Sequence, residues 1–104
     1  MVSELNNGNL DENTKQGKVV LDFYADWCAP CKMMEPIIKE LAIELDGRMK
    51  IGKINVDQNP RMQAEFDITG VPTFILFKDG KTLNRRIGAH SKQQLINMIQ
   101  DAIS

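Results

Sequence analysis

Trp27-Cys28-Ala29-Pro30-Cys31-Lys32 holds both cysteines of the chain and follows directly on the apolar run Val19-Val20-Leu21-Asp22-Phe23-Tyr24. A Cys-x-x-Cys pair closes a loop of four residues, which loop-closure entropy credits with roughly 2 kcal/mol at most. It ties no distant segments together, so chemistry explains it better than stability does: thiol–disulfide exchange or metal ligation. Zinc needs four ligands, and beyond the two thiols the chain offers only His90 and carboxylates. Two inert core thiols are the remaining alternative, since free cysteine packs as a small hydrophobe.

Working outward, Val19 to Tyr24 is a β-branched and aromatic run of the kind that forms a strand buried on both faces in a parallel sheet. Asp22 interrupts it. A carboxylate in such a strand is expensive to ionise, so its pKa should rise until it holds or exchanges a proton near neutral pH; a solvated strand-end position is the other reading. A helix then runs from near Cys28 to about Leu45, with Met34, Ile37, Ile38, Leu41 and Leu45 on one stripe. Pro30 suits its first turn, Pro36 should kink it, and Gly47 marks its end. Cys28 thereby falls at the helix N-terminus, where free N–H groups and the dipole favour a thiolate, and is the expected nucleophile. Cys31, one turn further in, is expected to be more buried, to keep its proton longer and to act as the resolving thiol.

The remaining elements follow the same logic. Leu10 to about Gln16 reads as a short helix capped by Asn9 and ended by Gly17. Met49 to Val56 reads as a second strand, with Lys53 a counter-charge to Asp22 across the sheet or simply a solvated lysine. Asn59-Pro60 caps a short helix carrying Met62 and Phe66. Pro72 stands at the mouth of the strand Thr73 to Phe77, trans or cis. Asp79-Gly80 turns the chain into an edge strand, Lys81 to Ile87, which Gly88 ends. Ser91 and Gln94 form a capping box for a last helix with the stripe Leu95, Met98, Ile99, Ala102 and Ile103. The six methionines read as core packing.

The 104 residues fit one domain, 1–104, and 42% hydrophobic with 26% charged residues is ordinary for a globular chain. With 13 basic against 14 acidic residues and a net charge of −1, neither nucleic acid nor an anionic membrane is an implied partner. The polar N-terminus lacks the basic start and apolar run of a secretory signal, so the expected location is the cytoplasm. There structural disulfides are rare, which again favours a working Cys pair. Monomer is the default state.

The order strand, helix, strand, helix, hairpin, helix, with Trp-Cys-x-Pro-Cys-Lys at the first junction, resembles the thioredoxin family from about Val19 to the end. Asp22-Phe23-Tyr24-Ala25-Asp26-Trp27 resembles the stretch with the family's buried aspartate. Lys53 and Asp57 fall in its Lys-x-Asn-x-Asp-Gln-Asn-Pro pattern, Val71-Pro72-Thr73 in its cis-proline loop, and Phe77-Lys78-Asp79-Gly80 with Gly88-Ala89 in its hairpin and groove. Thioredoxins are among the proteins behind the rule for lowered Cys-x-x-Cys thiol pKa values, so rule and resemblance count once.

The resemblance implies an α/β thioredoxin fold, a central mixed twisted β-sheet flanked by helices, with Pro72 cis beside Cys28. It implies a substrate groove formed by Trp27, Ala29, Pro30, Val71, Pro72, Gly88 and Ala89, where an extended substrate borrows backbone hydrogen bonds from Val71. It further implies a dithiol–disulfide oxidoreductase reducing protein disulfides through a redox-active Cys28–Cys31 disulfide. No other cofactor or metal is bound, and electrons come from a flavin-containing, NADPH-dependent thioredoxin reductase. Asp22, with Lys53 as its partner, is the expected proton acceptor for Cys31. Ala29 replaces the usual glycine, Tyr24 a frequent tryptophan, and the first strand is shortened to around Val2 to Leu5. The rival readings are a disulfide oxidase or isomerase on the same fold and a docking subunit whose redox chemistry is incidental. His90, beside the groove, reads as an exposed spectator, with added pH sensitivity as the other reading.

Overall fold

A computed structural model describes residues 2–103, without the side chains of Ala102 and Ile103. The helix stripe expected at those two positions, and Met1 among the methionines, lie outside the described residues. The elements are β1 (Val2–Glu4), α1 (Leu10–Thr14), β2 (Lys18–Tyr24), α2 (Ala29–Glu44), β3 (Lys50–Asn55), α3 (Pro60–Glu65), β4 (Thr73–Lys78), β5 (Lys81–Ile87) and α4 (Lys92–Ile103). They form one five-stranded sheet in the order β1-β3-β2-β4-β5.

β2 is central and its five inner residues are buried, as the apolar run requires. The sheet is mixed, as the family resemblance implies: β2, read from its apolar run as a strand of a parallel sheet, runs parallel to β3 on one side and antiparallel to β4 on the other. Alternation along β2 divides the core. Val19, Leu21 and Phe23 pack with Leu10, Met62, Ile75 and Phe77 under α1 and α3. Val20 packs with Met34, Ile38, Leu41, Phe74, Leu76, Leu95 and Met98 under α2 and α4. By the period of two, Asp22 shares the second face, which is why a charge-bearing side chain sits beneath a helix.

Local signals explain most boundaries. α2 continues through Pro36, and Leu45 caps it before Gly47 takes a φ of 81°. Asp79 and Gly80 both have positive φ, the backbone a two-residue hairpin demands. The capping box is realised in full: Ser91 N–H donates to Gln94 Oε1 at 2.8 Å and Gln94 N–H to Ser91 Oγ at 3.1 Å. β1 is only three residues long, and Leu5 after it packs over Gly52, where an added Cβ would lie 2.5 Å from Leu5 Cδ1.

Two expected caps are absent. Asn9 Oδ1 accepts from Asn6 N–H instead of capping α1, which ends at Thr14 rather than Gln16. Asn59 Oδ1 accepts from Asn7 N–H while its amide donates to the Asn55 carbonyl. In both cases short polar side chains are captured by competing backbone groups. Met34, Met62 and Met98 are core residues as expected, whereas Met33 is 69% exposed on α2.

Removing one arm of the capping box tests how far α4 depends on it. Ser91→Ala should lower unfolding free energy by about 1 kcal/mol in a urea titration; an unchanged midpoint would show that the box contributes nothing.

Candidate functional site

The end of β2 delivers the chain into a turn in which Cys28 N–H donates to the Ala25 carbonyl at 3.2 Å. Cys28 is then the N-cap of α2, in extended backbone with φ −90° and ψ 107°. Its Sγ accepts the Cys31 N–H at 3.2 Å, one of the donors a helix start leaves without intrahelical partners. Pro30, in the first turn, gives up no bond that the helix needs. Cys28 and Cys31 are joined as a disulfide with Cα atoms 5.2 Å apart.

The expected difference in burial is not found. Cys28 is 3% exposed and Cys31 4%, since both pack into the same core cluster. What separates them is bonding: Cys28 Sγ receives the helix N–H and lies 3.6 Å from the Val71 carbonyl oxygen, an acceptor for a thiol proton once the disulfide is reduced.

The Val71–Pro72 peptide bond is cis. Thr73 Oγ1 donates to the Gly70 carbonyl at 2.6 Å, and Gly88 N–H donates to the Pro72 carbonyl at 2.8 Å, so the loop is fixed at both ends. Gly88 has φ 93°, a conformation that disfavours any side chain. Around the sulfurs Trp27 is 71% and Ile87 55% exposed, Ala29, Pro30 and Ala89 are exposed, Val71 and Gly88 are half-buried, and Pro72 is buried. The result is an apolar rim around a buried disulfide. Ile87 was read only as the end of an edge strand, which hid its place on this rim.

Several contacts were not legible in the sequence. Trp27 Nε1 donates to Asp57 Oδ2 at 2.8 Å, which fixes the exposed indole. Buried Asn55 accepts from the N–H groups of Asp57 and Gln58 and so shapes that loop. His90 is not exposed as expected: it is half-buried, hydrogen-bonded through Nδ1 to the Gly88 carbonyl at 2.8 Å, with its ring edge-on to Phe74.

Asp22 is 4% exposed and its Oδ1 has no hydrogen-bond partner among the described residues. Burial pushes its pKa up to about 7 against the opposing pull of Lys53, with Glu35 and Glu4 adding to the rise. Lys53 is the register partner of Asp22 on β3. Its ammonium, however, lies 4.4 Å from the centre of the Tyr24 ring, so it acts on Asp22 through space. Partial burial raises the Tyr24 pKa, and so does the hydrogen bond its hydroxyl donates to Glu4 Oε1 at 2.8 Å. Among the described residues no group of three or more His, Cys, Asp or Glu side chains is arranged to hold a metal ion. Nor is any described helix long and apolar enough to cross a membrane. A hollow of about 200 Å³ between the end of α2 and α4, bordered by Leu45, Arg48, Ile96 and Ile99, shares no residue with the disulfide site.

A thioredoxin family model matches residues 1–101. A thioredoxin of Staphylococcus saprophyticus is 38% identical over 99 residues, covering 95% of this chain and 95% of that protein. One from Chlamydia pneumoniae is 41% identical over 95% of this chain and 96% of its own length. One from Rickettsia felis is 44% identical over 82% and 81%. With a proximal Cys pair at the first strand-to-helix junction and similarity running nearly end to end, the chain belongs to the thioredoxin family and is a dithiol–disulfide oxidoreductase acting on protein disulfides.

Proposed function

We propose that this chain is a single-domain, monomeric cytoplasmic reductase, residues 1–104, in which Cys28 attacks and Cys31 resolves. The observation that carries the reading is the helix N–H of Cys31 directed at Cys28 Sγ. That donor and the helix dipole stabilise negative charge on Cys28 and on no other sulfur.

In the reduced protein the Cys28 thiolate attacks one sulfur of a substrate disulfide, forming a mixed disulfide and releasing the other sulfur as a thiolate that takes a proton from solvent. The Cys31 thiol gives its proton to the Asp22 carboxylate, through a water. The Cys31 thiolate then attacks Cys28 Sγ, which closes the Cys28–Cys31 disulfide and expels the second substrate thiolate. Lys53 keeps Asp22 from binding its proton too tightly. An extended substrate lies across Trp27, Ala29, Pro30, Val71, Pro72, Gly88 and Ala89, hydrogen-bonded to the Val71 backbone. A flavin-containing, NADPH-dependent thioredoxin reductase returns two electrons to the disulfide.

With a disulfide-bonded protein as substrate, Cys31→Ser should accumulate the mixed disulfide at Cys28, visible by mass after acid quench. Failure to accumulate it, or trapping in Cys28→Ser instead, would reverse the assignment.

Asp22 should also show its role in stability. Its pKa rises from 3.8 to about 7 on folding, so the folded state holds a proton that the unfolded chain has lost across that interval. The resulting penalty is absent below pH 3.8, grows between 3.8 and about 7, and is constant above. Asp22→Asn should therefore stabilise the protein, with a gain that grows from about pH 4 to about pH 7 and levels off. A gain independent of pH in denaturant titrations would show that the Asp22 carboxylate is not held protonated. The same variant should slow resolution more than first attack.

A further inference from the structure

A cavity of about 30 Å³, with room for a bound water, borders Asp22 together with Val2, Glu35, Ile38, Lys39 and Lys53. These residues come from β1, β2, β3 and the second and third turns of α2. None belongs to the apolar rim around the disulfide. The separation matters for timing, because the substrate still covers the groove when Cys31 gives up its proton. A proton on buried Asp22 then needs a way out that the substrate does not block.

We propose that Glu35 relays the proton of Asp22 to solvent through this cavity while the substrate occupies the groove. The inference rests on the reductase reading above. Glu35 acts through Asp22 and touches no reacting sulfur, so it is a positioning residue for the proton.

The choice of Glu35 among the groups facing Asp22 follows from their chemistry. Lys53 on β3 and Lys39 on α2 line the same cavity, but an ammonium near neutral pH has no lone pair to accept a proton. Glu4 on β1 is engaged by the Tyr24 hydroxyl. On β4 the register partner is apolar Phe74. Glu35 is exposed at the protein surface, and among the described residues no hydrogen bond or ion pair engages it. Its carboxylate also raises the proton affinity of Asp22, so uptake and release are coupled electrostatically.

The protons balance. Asp22 carboxylate takes one from the Cys31 thiol, passes it through a water in the cavity to the Glu35 carboxylate, and Glu35 releases it to bulk solvent. Asp22 is then ionised for the next turnover.

The test is quenched-flow reduction of a disulfide-bonded peptide by the reduced full chain, resolving mixed-disulfide formation from its decay, in wild type, Glu35→Gln and Glu35→Asp. Formation should be alike in all three. Decay in Glu35→Gln should be several-fold slower in dilute buffer at pH 7.5, recover as imidazole is raised, and show its acid limb at lower pH because a negative charge near Asp22 is gone. Glu35→Asp should keep most of the wild-type rate. Decay as fast as wild type in Glu35→Gln would overturn the relay, and so would slow decay that imidazole does not restore. A parent protein that forms no mixed disulfide would overturn the reductase reading itself, and that result is visible before any Glu35 variant is compared.

Discussion

The Cys31 N–H directed at Cys28 Sγ from 3.2 Å is the contact on which the rest of the arrangement depends. It exists because β2 ends where α2 begins, leaving Cys28 as an N-cap with helix donors ahead of it. The sheet order places β4 beside β2, which brings the cis-proline loop to the same end and sets the Val71 carbonyl against the sulfur. Gly88 and His90 then hold that loop from the far side. A sulfur that receives a helix N–H and is flanked by exposed apolar side chains follows from these placements.

The second constraint works against stability. Asp22 occupies the α2 face of the central strand with an unpartnered oxygen, in a position where an aliphatic residue would pack without penalty. On the mechanism proposed above, chemistry accounts for its presence: a carboxylate raised to about 7 is half-ionised near neutral pH, where the resolving thiol has to give up its proton. Lys53 across the register and Glu35 at the cavity mouth pull that value in opposite directions. With Glu4 on β1 adding to the rise, Asp22 is tuned by three side chains, none of which touches the sulfurs.

Features carried by sequence-local physics were legible before any coordinates. The apolar run of β2, the Ser91–Gln94 box, the Asp79-Gly80 turn and the Cys28 N-cap each depend on residues within a few positions of one another. Those that escaped depend on distant partners. Asn59 looks like a cap until Asn7, 52 residues away, claims its oxygen. The Trp27–Asp57 bond spans 30 positions, and nothing in the spacing of Glu35 reveals that α2 lays it over Asp22. The expectation that Cys31 is the more buried thiol failed for a related reason: depth along a helix is not depth in the core, which is set by what packs across the helix end.

Redox poise follows from the same contacts. A more stabilised thiolate makes the reduced form more stable and the protein more oxidising. Here the donors to Cys28 are a single backbone N–H and a helix dipole, the intervening Ala29 and Pro30 carry no cation, and the Val71 carbonyl oxygen opposes negative charge. The decisive measurement is the reduction potential of the Cys28–Cys31 couple, equilibrated against glutathione or dithiothreitol buffers and read by Trp27 fluorescence. A value more reducing than the glutathione pool is predicted; a value of about −180 mV or higher, the range of disulfide isomerases and oxidases, would contradict the assignment as a reductase.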